Sequence, residues 1–299
     1  MLTSAQIMLN AKKARVLIPA FNVPYLPMVE PVIRAVQYQD CFALIETARA
    51  EWADHPSRGM RAVKQEFDRW CNPTHVRLHL DHVPVIDEND ERVDYRPILQ
   101  EAIDLGYESV MIDGSRLPLE ENIAATREVA ELVHQAGGAC EAELGRVWGH
   151  EAGPPPSYEE VFNAGLGFTD VQEAQRFVRE SCCDWLSVAV GSIHGSISAA
   201  FKDRKKVQAR LNLEHLEKLA QAVDVPLVLH GGSGVQKEYI AGGVKRGIAK
   251  MNIGTEIRQA YEAGLKQSVS VAQEATYERT CWILHDYLEI AGCRKLVIE

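Results

Sequence analysis

Short apolar, β-branched runs recur along the whole chain. They are VLIPAFNV (16–23), CFALIETA (41–48), VRLHLDH (76–82), SVMIDGS (109–115), ACEAELG (139–145), DWLSVAV (184–190), PLVLHGG (226–232) and GIAKMNIGT (247–255). Each has the length and residue preference of a strand. Most of the intervening segments have helical spacing instead. Residues 117–137 place Ile123, Val129, Leu132 and Val133 on one face and end at Gly137, a C-terminal capping residue. Residues 212–226 open on Asn212, a good N-cap, and run to Pro226. Residues 3–14 predict an amphipathic first helix.

Strand and helix alternating eight times predict an α/β fold, a closed parallel (β/α)8 TIM barrel. The competing architecture is a doubly wound open sheet. Its glycine-rich dinucleotide turn does not follow the first strand. No Pro-, Gly- or Ser-rich linker divides the chain, so residues 1–299 are expected to form a single domain with extended rim loops and C-terminal helices. Two long insertions, 146–170 and 192–211, follow strands five and six. Both belong to the C-terminal rim, where barrel enzymes keep their sites.

Composition narrows the function classes. Hydrophobic residues make up 46% of the 299, enough for a large core, and the formal net charge is −10. That balance argues against a nucleic-acid partner. No run of about 18 apolar residues is present, so no membrane span is expected. The N-terminal apolar run is too short for a secretory signal. Seven cysteines without a CxxC pair fit free thiols in a reducing cytoplasm.

The polar residues at the strand ends carry the chemistry. In a barrel these ends share one mouth. Asn22, Asp81, His82, Asp113, Glu143 and His230 lie there, with Asn252 in strand eight and His194 a few residues past strand six. Any one histidine alone reads better as a hydrogen-bonded residue under a loop. Three on one rim, with a carboxylate beside one of them, point to a metal, because three imidazoles and an open position make a catalytic zinc site. Asp113 and Glu143 then orient the imidazoles or accept from backbone amides. LHGGSG (229–234) offers a glycine turn with outward amides, and MNIGTE (251–256) puts Gly254 and Thr255 at a helix start. Both favour an anion, phosphate above all, although ordinary tight turns have the same composition. The basic run 202–210 is either a solvated loop or an anion-facing one.

Taken together, HLDH, SVMIDGS, EAELG, VAVGSIHG, LVLHGGSG and AKMNIGTE resemble the signature segments of the class II, zinc-dependent ketose-bisphosphate aldolases, in the family's order and over residues 16–258. The resemblance implies one Zn²⁺ held by His82, His194 and His230, with Glu143 as an alternative ligand and Asp113 close by. It implies Asp81 as the acid/base for the hydroxyl proton and Glu151 as the loop acid exchanging the enediolate proton. Asn22 and Asn252 would hold substrate. Gly232, Ser233, Gly254 and Thr255 would cradle phosphate, with Gly195 and Gly231 offering backbone groups there or to a monovalent cation. The implied reaction cleaves a phosphorylated ketose, or a keto-sugar acid phosphate, to dihydroxyacetone phosphate or a similar ketone and an aldehyde through a zinc-stabilised enediolate. A homo-oligomer, dimer or tetramer, in the cytoplasm is implied as well. A zinc hydrolase or isomerase on the same barrel and a non-catalytic sugar-phosphate binder are the alternatives. The chain departs from the family where strand two ends. Glu46, Thr47 and Arg49 replace a Ser/Gly-rich turn, and Arg49 is expected to meet an anionic group on the aldehyde half or to face outward in a salt bridge.

Overall fold

A computed structural model describes residues 2–54, 59–148, 157–193 and 208–299. Eight strands close into a barrel in chain order. They are β1 Ile18–Asn22, β2 Ala43–Ala48, β3 Val76–Pro84, β4 Ser109–Asp113, β5 Ala139–Leu144, β6 Trp185–Val188, β7 Leu227–Leu229 and β8 Ile248–Ile253. All pairings are parallel, and β1 against β8 completes the ring. The (β/α)8 expectation is borne out. The first helix runs Ser4–Ala14 behind a Thr3–Gln6 capping box. Asn212 accepts the His215 amide at the start of Leu213–Ala222.

The period of two along each strand sorts side chains between two compartments. Val76, Leu78 and Leu80 of β3, with Cys140, Ala142 and Leu144 of β5, join the large core between sheet and helices. The alternate positions Ile18, Ala20, Leu44, Ala139, Trp185 and Val228 pack with Ile7, Met8 and Ala11 of the first helix. That helix therefore plugs the N-terminal end of the barrel. Higher up, the same alternation brings Glu46, His79, Glu141 and Lys250 together, all completely buried. A solvated helix face carries charge freely, whereas here the barrel interior carries it.

Two expectations need correction. Asp81 and His82 do not end β3, which continues to Pro84. The insertion 146–170 is not all loop, since Tyr158–Ala164 is a helix with a Ser157–Glu160 capping box. The S-x-x-E spacing that marks it was visible in the sequence. Among the described residues, no helix is long and apolar enough to cross a membrane. The seven cysteines are free.

Candidate active site

The site begins with an irregularity. The β3–β4 register shifts between Leu80 and Val83, and His82 has φ 40°. A non-glycine residue in that region costs about 1–3 kcal/mol and persists only where its surroundings enforce it. Strict alternation would point Asp81 and His82 to opposite faces. The bulge lets both reach the mouth.

Asp81 accepts the Asn22 amide at 2.9 Å on Oδ2 and the Asn252 amide at 3.0 Å on Oδ1. Burial alone would raise its pKa, but the neighbouring charges of His82, Lys250 and His230 outweigh it and hold the carboxyl at about 2. It is a carboxylate at neutral pH. His82 Nδ1 lies 3.2 Å from Asp113 Oδ2, and Asp113 Oδ1 accepts the Ser115 amide and hydroxyl. Burial opposes charge on His82. The Asp81 charge and the Asp113 hydrogen bond overcome it and lift the imidazole to about 10. The His230 ring sits edge-on to His82 with centroids 4.5 Å apart. Its Nε2 is 2.9 Å from Glu141, and its Nδ1 is 3.1 Å from Glu143, which also accepts from Ser187.

Ligand atoms of Asp81, His82 and His230 lie within 4.8 Å of one another, as do those of His82, Asp113 and Glu143. Two of the three expected imidazoles and both expected accessory carboxylates therefore converge. His194, Gly195 and Glu151 lie outside the described residues.

Beneath them is a charged layer of which the sequence singled out only Glu46. Lys250 Nζ is 2.8 Å from both Glu46 and Glu141, and Glu141 also accepts from Trp185. One buried cation can balance one anion. Glu141, although buried, is pulled well below the usual carboxylate range by Lys250, and burial pushes Glu46 well above it. His79 donates or accepts at 2.8 Å with Ser109, and burial together with the Lys250 charge lowers its pKa to about 3.

That depression sets a pH dependence. Between about pH 3 and 6.5 the unfolded chain binds a proton at His79 that the folded chain does not. Stability therefore falls as pH drops through this window and is fully recovered above it. His79→Gln should flatten the acid limb by up to about 1.4 kcal/mol per pH unit, measured by urea unfolding at pH 5 and pH 7. Equal slopes in the two proteins would mean that His79 is protonated in the native state.

The glycine turn after β7 has the shape its sequence suggested. Gly231 and Gly234 take φ of 66° and 98°. A Cβ on Gly232 would fall 2.5 Å from Met251 Cγ and 3.1 Å from the Asn252 carbonyl, so the turn is pressed against β8. The buried hydroxyl of Ser233 has no hydrogen-bond partner among the described residues. Neither does the hydroxyl of Ser192, a residue passed over in the sequence although it follows β6. Gly254 leads the helix Thr255–Leu265 without a side-chain cap, and its backbone lies close to Asn22. Gly232→Ala should raise KM for a phosphorylated substrate by about 10–100-fold, the worth of a lost hydrogen bond to a charged group, with little change in KM for a phosphate-free analogue. Steady-state kinetics with both substrates checks this.

Arg49 opens the helix Arg49–Asp54, with Nη1 3.6 Å from Asp87 Oδ2 in the loop after β3. In the basic run, only Gln208–Arg210 is described, and Arg210 pairs with Glu159 at 2.8 Å.

A parallel barrel gathers imidazoles and carboxylates that could hold a metal ion at its C-terminal mouth, where barrel enzymes keep their sites. The chain belongs to the family described as fructose-bisphosphate aldolase class-II, whose sequence pattern matches residues 2–291. It is thus a carbon–carbon lyase. A 6-phospho-5-dehydro-2-deoxy-D-gluconate aldolase from Bacillus velezensis is 32% identical over 263 residues, 87% of this chain and 81% of that protein. Among solved structures, the YdjI aldolase from Escherichia coli K12 superposes with TM-score 0.74 at 27% identity, over 96% of this chain and 97% of that one. A candidate fructose-1,6-bisphosphate aldolase from Coccidioides immitis superposes with TM-score 0.76 at 25% identity, over 98% of each chain.

Proposed function

We propose that the chain, acting as one domain, is a zinc-dependent aldolase that cleaves a phosphorylated ketose or a keto-sugar acid phosphate to dihydroxyacetone phosphate, or a similar ketone, and an aldehyde. The observation that carries this reading is Asp81, aimed by the amides of Asn22 and Asn252, beside the His82–His230 pair. The donor set fits zinc: two imidazoles in edge contact, with Asp113 on one ring nitrogen of His82 and Glu141 on Nε2 of His230. His82 and His230 would be ligands, with His194 third on the family resemblance. When bound, zinc supplies a Lewis acid for the ketone oxygen on which negative charge collects.

The chain's own residues do the rest. Asp81 takes the hydroxyl proton beside the breaking carbon–carbon bond. The amides of Asn22 and Asn252 hold that carboxylate in place. Asn252 Oδ1, buried and without a hydrogen-bond partner among the described residues, is available to a substrate hydroxyl. The Gly231–Gly234 turn and the start of the helix Thr255–Leu265 offer amides to the phosphate. Glu151, outside the described residues, enters on the resemblance as the acid that exchanges the proton on the ketone-side carbon. The relative from Bacillus velezensis supports a phosphorylated sugar acid as one candidate substrate.

The test is an exchange reaction. Zinc-loaded protein in D₂O with dihydroxyacetone phosphate should move deuterium onto the ketone's α-carbon, followed by proton NMR. Zinc, about one per chain for a single three-imidazole site, should be lost in His82→Ala and in His230→Ala. Absence of exchange, or unchanged zinc in both variants, would rule the assignment out.

A further inference from the structure

The two rim insertions are tied to each other at their stems. Glu151 and His194 lie outside the described residues, but the chain on either side of each is described. The stretch with Glu151 begins after Trp148 and ends before Ser157. The stretch with His194 begins after Ile193 and ends before Gln208. Trp148 and Ile193 pair as a parallel bridge, so the two departures are joined. Glu159 and Arg210 pair at 2.8 Å, so the two returns are joined as well.

The Tyr158 hydroxyl links a return to a departure. It accepts the Arg210 amide at 2.5 Å, and its single proton faces the carbonyls of Gly191 and Arg210, each at 3.2 Å. Gly191 has no room beside it. Its φ is 113°, and a Cβ there would fall 2.8 Å from the Arg210 carbonyl and 2.8 Å from the ring of Phe162, one turn along the helix from Tyr158. The Arg210 guanidinium covers the other side of that ring, 4.5 Å from its centroid.

The stem of His194 is pinned residue by residue. The Ala189 amide donates to the Thr169 hydroxyl at 2.9 Å, and the Ala189 carbonyl accepts the Thr169 amide at 3.0 Å. The Val190 carbonyl accepts the Asn212 amide at 2.8 Å. The Gly191 carbonyl is held by Tyr158. Among the described residues this is the last side-chain hydrogen bond on the stem before His194, three residues further on.

We infer that Tyr158 is a positioning residue: through Gly191 it holds the stem of His194 and ties it to the segment that carries Glu151. This rests on the zinc aldolase reading above. A ligand on a loose stem must be ordered each time metal binds, and that entropy subtracts from affinity. A stem fixed three residues away has most of that ordering done before the metal arrives.

The experiment measures the zinc dissociation constant of the folded protein by competition with a chromogenic chelator. It compares wild type with Tyr158→Phe, Glu159→Gln and His194→Ala. Tyr158→Phe keeps the ring beside Phe162 and removes only the hydroxyl. It should weaken zinc by about 10-fold, the low end of what partners behind a metal ligand contribute. A purely structural role would lower the melting temperature of the zinc-free protein and leave this constant alone. Glu159→Gln, which loses only a surface ion pair on the same helix, should bind zinc like wild type. Ser157→Ala, which frees the start of the helix, should weaken zinc in the same direction, and it carries the comparison if Tyr158→Phe does not fold. An unchanged constant in Tyr158→Phe, or an equal loss in Glu159→Gln, overturns the inference. His194→Ala separates the two levels. With zinc lost there and kept in Tyr158→Phe, only the role of Tyr158 falls. With zinc kept in His194→Ala, the ligand reading falls and the inference falls with it.

Discussion

Asp81→Ala is expected to lower aldol cleavage by about 10²–10⁴-fold, the usual contribution of a positioned acid–base group, while zinc content and thermal midpoint stay near wild type. The carboxylate is ionised because the positive charges around it outweigh its burial. It is aimed by two amides from β1 and β8, so its oxygens have little freedom. Asp81→Asn should lose activity to a similar extent. An amide at this position presents NH₂ toward one of the two asparagine donors and cannot accept a proton at neutral pH. Three measurements decide the matter: cleavage coupled to reduction of the released ketone, zinc by mass spectrometry, and the melting curve. Turnover within a few-fold of wild type would remove Asp81 from proton transfer. Loss of zinc together with activity would assign it to the metal instead.

Lys250→Met is expected to cost about 3–5 kcal/mol of stability, the penalty for removing one partner of a fully buried ion pair. Lys250 has no exposed surface, and it stands 2.8 Å from Glu46 and from Glu141. These carboxyls keep its pKa raised despite burial. Without it, Glu141 is left as an uncompensated anion, or takes a proton and alters its hydrogen bond to His230. Activity should therefore fall along with stability, because Glu141 orients the His230 ring through Nε2. Adding Glu141→Gln to Lys250→Met should restore part of the loss, since the charge and its partner leave together. Chemical denaturation of the two single variants and the double variant closes the cycle. A single variant within about 1 kcal/mol of wild type, well short of that penalty, would show that the lysine charge is not needed inside the barrel.

Much of the site was legible because strand ends in a parallel barrel share one mouth. Asn22, Asp81, His82, Asp113, Glu143, His230 and Asn252 were all selected on that ground, and those that the structure describes do meet there. The Ser157–Glu160 capping spacing also marks the helix Tyr158–Ala164, which the sequence analysis did not predict within 146–170.

The sequence by itself determined the alternation of elements, the closed barrel, the glycine turns and the family. These follow from local periodicity and from residue types with few alternative uses. Tertiary structure alone decided which face of each strand looks into the barrel. A period of two separates Leu78 and Leu80 from His79 and Asp81 without saying which pair lies inside. Glu141 and Lys250 accordingly read as ordinary charges within apolar strands, and Glu46 only as a departure at the end of β2. They were placed only when β2, β5 and β8, about 100 residues or more apart along the chain for the Glu141–Lys250 pair, closed around one another. The bulge at Asp81–His82 has the same origin. Its positive φ is unfavourable locally, and contacts from β1, β4, β7 and β8 impose it.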